Sequence, residues 1–222
     1  LDADSLSTIG ALISSTPLEN LIASLEVAYQ FGKNQATEYQ KKHEAWALQA
    51  MADYTFAKVK TTPKIGASYT YLSGSTTATN EARDKYNTGW DAMFYDQKLN
   101  NIVYTLLPFS NMHAFNLKGS MKPVEDVTVS ATYGYYMVAQ KDSADFTVPH
   151  TYDNGGIYYA GVYSGKKDLG NAIDGTITYD YTEDVQFGLT AGYFIPGQAL
   201  AVDGAAVQRN AAQVIGSMKV TF

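Results

Sequence analysis

Gly216-Ser217-Met218-Lys219-Val220-Thr221-Phe222 closes the chain as an alternation of apolar and polar residues that stops on an aromatic ring. Extended backwards, it sets Val214, Gly216, Met218, Val220 and Phe222 on one face and Gln213, Ile215, Ser217, Lys219 and Thr221 on the other. Successive side chains of a strand point to opposite sides, so this period suits a strand with lipid on one side and water on the other. Such an ending, with Phe222 as sorting and closure residue, is what a bacterial outer-membrane β-barrel needs in its last strand.

The pattern recurs with a fixed spacing. Glu19-Asn20, Glu125-Asp126 and Glu183-Asp184 are each followed by an apolar residue (Leu21, Val127, Val185) and then by alternation. Nine positions after the second turn residue comes a tyrosine each time: Tyr29, Tyr135 and Tyr193. From the first apolar residue to that tyrosine, strand steps of ~3.3 Å tilted by roughly 40° rise about 20 Å, close to the height of an outer-membrane apolar band. The tyrosine then lands at the interface as a girdle residue. Tyr69 and Tyr71 fall in the same outward pattern.

Composition narrows the alternatives. The 222 residues include 18 Tyr, 18 Gly and no Cys. No apolar run approaches the ~20 residues of a membrane helix. The mean hydropathy of -0.21 does not separate a soluble protein from a barrel, whose apolar face is hidden in alternation. Absence of Cys excludes c-type haem attachment and thiolate metal sites, and no cofactor or metal is expected. A net charge of -6 offers no basis for nucleic-acid binding. A secreted β-sandwich or soluble barrel is the rival class, but it would not set apolar residues and Tyr so regularly on one face.

Walking along the chain predicts a weak strand over 8–14, a turn over 15–20, and strands over 21–33, 45–56 and 64–72. A long connection spans 73–110, in which Ile102 to Leu107 forms a short extra strand or packs against the rim. Strands over 111–122 and 127–139, a second long loop over 141–170, and strands over 171–181, 185–195 and 212–222 complete the reading. Short turns thus alternate with long loops, as periplasmic turns and extracellular loops do in outer-membrane barrels. The expectation is one all-β domain over 1–222, an antiparallel up-and-down transmembrane barrel with eight strands, or nine with the first segment. An odd count, and a start at Leu1 with neither Met nor signal peptide, read most simply as the C-terminal part of a larger barrel. A complete eight-stranded barrel starting at Leu21 is the competing reading.

Pro17-Leu-Glu-Asn-Leu21, Ala28-Tyr-Gln-Phe-Gly-Lys33, Ala45-Trp46, Pro63-Lys-Ile-Gly-Ala67 and Tyr71-Leu-Ser-Gly74 come in an order that resembles the alginate-export family of outer-membrane barrels. So do Trp90 with Phe94-Tyr-Asp96, Leu117-Lys-Gly-Ser-Met-Lys-Pro123, and Tyr179-Asp-Tyr-Thr-Glu-Asp-Val-Gln-Phe-Gly-Leu189 leading to Phe194-Ile-Pro-Gly197. The resemblance covers nearly the whole chain. It implies a barrel of about eighteen strands, of which this chain supplies the C-terminal half.

A polyuronate exporter should line its constriction with Arg and Lys, because a polyanion in a narrow pore needs paired charge. The positions opposite the apolar face, the expected pore lining, are Glu26, Gln30, Gln49, Asp53, Lys64, Asn116, Lys118, Asp174, Asp180, Gln186 and Lys219. Four carboxylates and three lysines make a mixed, slightly acidic wall, and both Arg83 and Arg209 fall in loops. That favours passive passage of small hydrophilic solutes, with polysaccharide export as the family-implied function. Asp142, Asp145, Asp153 and Asp168 suit calcium by residue type but match no calcium-loop spacing. His43, His113 and His150 lie at loops or strand ends with no Ser-His-acid constellation, so no enzyme activity is expected, a hydrolase being the weakest reading. A barrel that houses a partner, such as an electron-transfer cytochrome bringing its own haem, is the alternative from another class. Expected partners are outer-membrane lipid and lipopolysaccharide, and the barrel-assembly machinery through the C-terminal strand. The pattern leaves room for a homo-oligomer or a periplasmic or extracellular partner.

Overall fold

Nine long antiparallel strands form a single sheet in which spatial order repeats chain order. The structure, a computed structural model, describes residues 5–34, 41–74, 86–93, 99–140, 166–200 and 209–221. The strands are β1 (Ser5–Leu18), β2 (Leu21–Asn34), β3 (Lys41–Thr55), β4 (Lys64–Leu72), β6 (Met112–Val124), β7 (Val127–Val138), β8 (Asp168–Asp180), β9 (Val185–Pro196) and β10 (Ala211–Val220). A two-residue strand, β5 (Tyr86–Asn87), adds in parallel to Lys42 and His43 at the upper end of β3. Between β5 and β6 lies one short helix, α1 (Asn101–Leu106), and a 3-10 turn (Gln198–Leu200) follows β9.

Short connections gather at one end of the sheet. Glu19 and Asn20 join β1 to β2, with Leu18 paired to Leu21. Asn20 takes φ 64°, a left-handed conformation that Asn tolerates better than most residues. Glu125 and Asp126 join β6 to β7 in the same way, with Val124 paired to Val127. The three repeated segments begin β2, β7 and β9, and all three strands run in the same direction, away from the short turns. The sheet is not closed: β1 and β10 are its edges, and nine alternating strands leave those edges running the same way.

Three expectations are corrected. The first strand runs to Leu18, past the Ser-Ser-Thr-Pro stretch predicted as a turn. It lies at an edge, where Pro17 removes no ladder hydrogen bond that the sheet needs. The third strand starts at Lys41, because Lys41 to Glu44 pair with Phe31 to Asn34 despite their polarity. Residues 101–106 are helical, not an extra strand. A short apolar run does not distinguish strand from helix by periodicity, and packing decides here.

The register segregates the sheet into two faces. Tyr29 lies beside Trp46, Tyr54 beside Ile65, and Leu117 beside Ala67 and Tyr133 on the first face. Leu25, Leu117, Ile173, Ile177, Leu189, Val214 and Met218 are all exposed there. A soluble protein would not leave a sheet face so apolar and uncovered. Aromatic rings frame this band at both ends. Tyr29 packs on Trp46 with centroids 4.4 Å apart, and Tyr69 on Phe115 at 4.9 Å, toward the long connections. Tyr54 with Phe56, and Tyr181 with Tyr179 and Phe187, lie at the turn end. Two aromatic belts with an apolar band between them match a membrane-spanning sheet. Among the described residues, no helix is long and apolar enough to cross a membrane.

Candidate functional site: the polar face and its inward segment

All eleven positions singled out as pore lining share the second face. Gln49 pairs with Glu26, Gln30 with Ala45, Lys64 with Thr55 and Ser120, and Lys219 with Gln186 and through it Asp180. One level crosses seven strands as Asp53, Gly66, Lys118, Thr132, Asp174, Gly192 and Gln213. The next level toward the turns reads Thr55, Lys64, Ser120, Ser130, Thr176, Thr190 and Ile215. Hydroxyls dominate it, and Thr176 and Thr190 bond each other at 2.9 Å. The tyrosines expected to form a girdle, Tyr29, Tyr69, Tyr71, Tyr135 and Tyr193, are all on the opposite face.

Toward the long-connection end the polar face changes character. Leu72, Met112, Ala114, Tyr136, Val138, Ala172, Phe194 and Ala211 occupy it, and all are buried. They form a seat for the β4–β6 connection, which folds inward across the sheet. Ile102, Val103, Leu107 and Phe109 pack down onto this seat and are almost fully buried. Burying an aliphatic or aromatic side chain contributes about 1.5–3 kcal/mol, so these four give roughly 6–12 kcal/mol before the cost of ordering the segment.

Polar groups fix where the segment sits. Asn100 donates from Nδ2 to the Thr132 carbonyl at 2.9 Å, and its Oδ1 accepts from the Tyr136 hydroxyl at 2.7 Å. The same hydroxyl reaches Asn116 Oδ1 at 3.1 Å. Asp174 accepts the backbone N–H of Asn101 at the first turn of α1, where a carboxylate suits the unpaired amides. Two glycines in the wall make room. A Cβ at Gly134 would strike the Tyr136 hydroxyl and Asn100 Oδ1, and one at Gly192 would meet Asp174 and Ile102.

A second stretch of the connection, residues 88–93, crosses the other half of the face. Gln30 donates to the Asp91 carbonyl at 2.7 Å and accepts the Asp91 N–H at 2.9 Å, a two-point clasp on the backbone. His43 contacts the same Gln30 Oε1 at 3.3 Å. The Trp90 N–H donates to the Ser73 carbonyl at 2.8 Å, and the Thr8 hydroxyl reaches the Met93 sulfur at 3.7 Å. Asn111, at φ 49°, anchors the far end by exchanging side-chain bonds with the Gln140 backbone at 2.7 and 3.0 Å. The connection therefore touches the polar face from β1 to β9.

This arrangement divides the eleven positions. Gln30, Asn116 and Asp174 are buried under the inward segment and hold it. Glu26, Asp53, Lys64, Gln186 and Lys219 are exposed, and Gln49, Lys118 and Asp180 partly so. The sequence leaves 102–107 a choice between a short strand and packing against the rim, and the run packs, in keeping with positions of this face that turn apolar at the nearest ends of β4, β6, β7 and β9. His113 lies on the apolar face, where its Nδ1 pairs with the Tyr69 hydroxyl at 2.8 Å. Asp168 Oδ1 accepts the Gly170 N–H at 3.0 Å. Arg83, Asp142, Asp145, Asp153, His150 and Phe222 lie outside the described residues. Among the described residues, no three His, Cys, Asp or Glu side chains are placed to hold a metal ion.

No curated protein matches the chain. A protein-family model does: the one described as alginate export matches residues 12–214, nearly the full length. Proteins of that family are outer-membrane β-barrels with a transport role, in keeping with the all-β sheet and its two segregated faces. The chain belongs to the alginate-export family.

Proposed function

We propose that the protein is an outer-membrane channel without covalent chemistry, whose polar face lines a water-filled passage narrowed by the stretches over 88–93 and 99–109. The observation that carries this reading is the segregation of the faces: an apolar band framed by aromatic belts on one, hydroxyls, amides and charges on the other. Long connections face outside and short turns the periplasm, by analogy with outer-membrane barrels. Because the two edges run in the same direction, a fully antiparallel closure of the sheet would take an odd number of further strands.

Burial takes the Asp174 carboxylate off the solvent-exposed part of the wall. With that carboxylate engaged under α1, Glu26, Asp53 and Asp180 stand against Lys64, Lys118 and Lys219. Balanced charge among hydroxyls suits small hydrophilic solutes, or a polymer whose recognition lies elsewhere in the passage. A polyuronate would call for a cationic constriction. The expected result in planar bilayers is a steady conductance with weak ion selectivity and no block by added polyuronate. Anion selectivity with polyuronate block would replace this reading with polyuronate export, and absence of conductance would refute the open channel.

The register has its own test. Single cysteines at Asp53, Asp180 and Lys219 should react with a water-soluble, membrane-impermeant thiol reagent, while cysteines at Leu25, Leu189 and Val214 should stay protected in the membrane. A slip of one residue would invert the two sets, so equal labelling would sink the assignment of faces.

A further inference from the structure

Asp91 is the one charged side chain among the described residues of the two inward stretches, 88–93 and 99–109. Its backbone is anchored on both sides. The N–H donates to Gln30 Oε1 at 2.9 Å, and the carbonyl accepts from Gln30 Nε2 at 2.7 Å and from the Met93 N–H at 2.9 Å. One residue earlier, the Trp90 N–H is fixed on the Ser73 carbonyl. Gln30 is only 1% exposed, so the clasp comes from a side chain locked by its own packing. Trp90 is buried and Asp91 exposed, so the stretch turns its ring to the wall and its carboxylate to the passage.

The wall beneath supplies no counter-charge. Between β1 and β7, the next three rows toward the turns pass through Ala28, Glu26 and Ser24 of β2 and end at Val138, Tyr136 and Gly134 of β7. Glu26, which is exposed, is the charged residue in them. The lysines of the lining come nearer the turns. Lys118 stands in the fourth row with Asp53 and Gly66, Lys64 in the row after it, and Lys219 at the end of β10. Positive and negative groups of the lining therefore balance in number but not in place. Exposed carboxylates stand where the passage is narrowed, and lysines where it is not.

We propose that Asp91 is a specificity-determining residue of the passage, a fixed carboxylate that admits cations and cationic hydrophilic solutes in preference to anions, with Gln30 as the residue that positions it. The inference rests on the channel reading and gives the weak selectivity expected there a sign and a source. Carboxylates at a constriction favour cations because the charge acts at close quarters on whatever passes. Its reach is about one Debye length, ~10 Å at 0.1 M salt. Glu26 lies four residues along β2 from Gln30, roughly 13 Å away, and adds to the same field when salt is low.

The test is the reversal potential of the full-length protein in planar bilayers under a potassium chloride gradient. Native channels should prefer potassium. Asp91→Asn should lower the potassium-over-chloride permeability ratio about twofold at 0.1 M salt, and Asp91→Lys should turn the preference toward chloride. Gln30→Met keeps the bulk but makes neither bond to Asp91, and should lower the ratio part of the way. Glu125→Gln removes the same charge from the β6–β7 turn and should leave the ratio at its native value. A native preference for chloride, or an unchanged ratio in conducting Asp91→Asn channels, would overturn the proposal and leave the channel standing. An unchanged ratio in Gln30→Met would overturn the role of the clasp. Absence of conductance in the native protein would refute the channel reading and this inference with it.

Discussion

Val103→Asp should yield a channel that carries several times the native current. Val103 is fully buried between α1 and the polar face, and an aspartate there would have to remain charged in an apolar seat or leave it. Leaving is the cheaper course, because the segment over 99–109 pairs with no strand and can lift away without breaking the sheet. The magnitudes identify which change suffices. Asn100→Ala strips the latch and leaves the Tyr136 hydroxyl one partner short, costing about 1–3 kcal/mol for each buried group left unsatisfied. Four buried apolar side chains contribute more than that, so Asn100→Ala should keep the segment seated and add current noise at most. Single-channel recording of both variants decides the matter, with heat-modifiable gel migration as the check that each barrel is folded. Native conductance from a folded Val103→Asp channel would show that the segment does not narrow the passage.

Ala131→Arg should destabilise the folded protein in bilayers, whereas Ser130→Arg, one residue earlier on β7, should be nearly neutral. Ala131 faces the apolar band between Gly119 and Gly175, and the space around those glycines is open, so an arginine fits sterically. Its cost is that of a cation in hydrocarbon, about 2–4 kcal/mol near the midplane. Ser130 lies opposite, between Ser120 and Thr176, where water solvates the guanidinium. Equilibrium unfolding in urea from phospholipid vesicles reads the difference. Equal stabilities for the pair would contradict the membrane placement, because in water the exposed Ala131 would accept an arginine as readily as Ser130 does.

The sheet was legible because each repeated segment combines three independent signals: an acidic turn, strict alternation, and a tyrosine nine positions on. They locate β2, β7 and β9, and the strands between follow from period 2. The edge strand was shortened in the reading because Ser14, Ser15 and Pro17 are turn-forming residues, and at an edge that preference goes unpunished. The polar face was legible residue by residue, since inside and outside differ by one position. Its cover was not. Gln30, Asn116 and Asp174 have the chemistry of wall residues, and only the path of a distant connection turns them into clasps. Parity assigns a side chain to a face, but it does not say what else in the chain comes to lie on that face.

The match between spatial and chain order bears on how the protein assembles. Each long strand pairs with its sequence neighbours, so the sheet can grow hairpin by hairpin, each step closing a loop of few residues where the turn is short. The β4–β6 connection breaks this locality. Asn100 and Asn101 reach Thr132 and Asp174, and Asp91 reaches Gln30, 61 residues away in sequence. The contacts of Asn100 and Asn101 require β7 and β8 to be in place before that part of the connection can settle. The wall is therefore raised first and its obstruction fitted afterwards, so that a nascent barrel caught midway would be wider than the finished one.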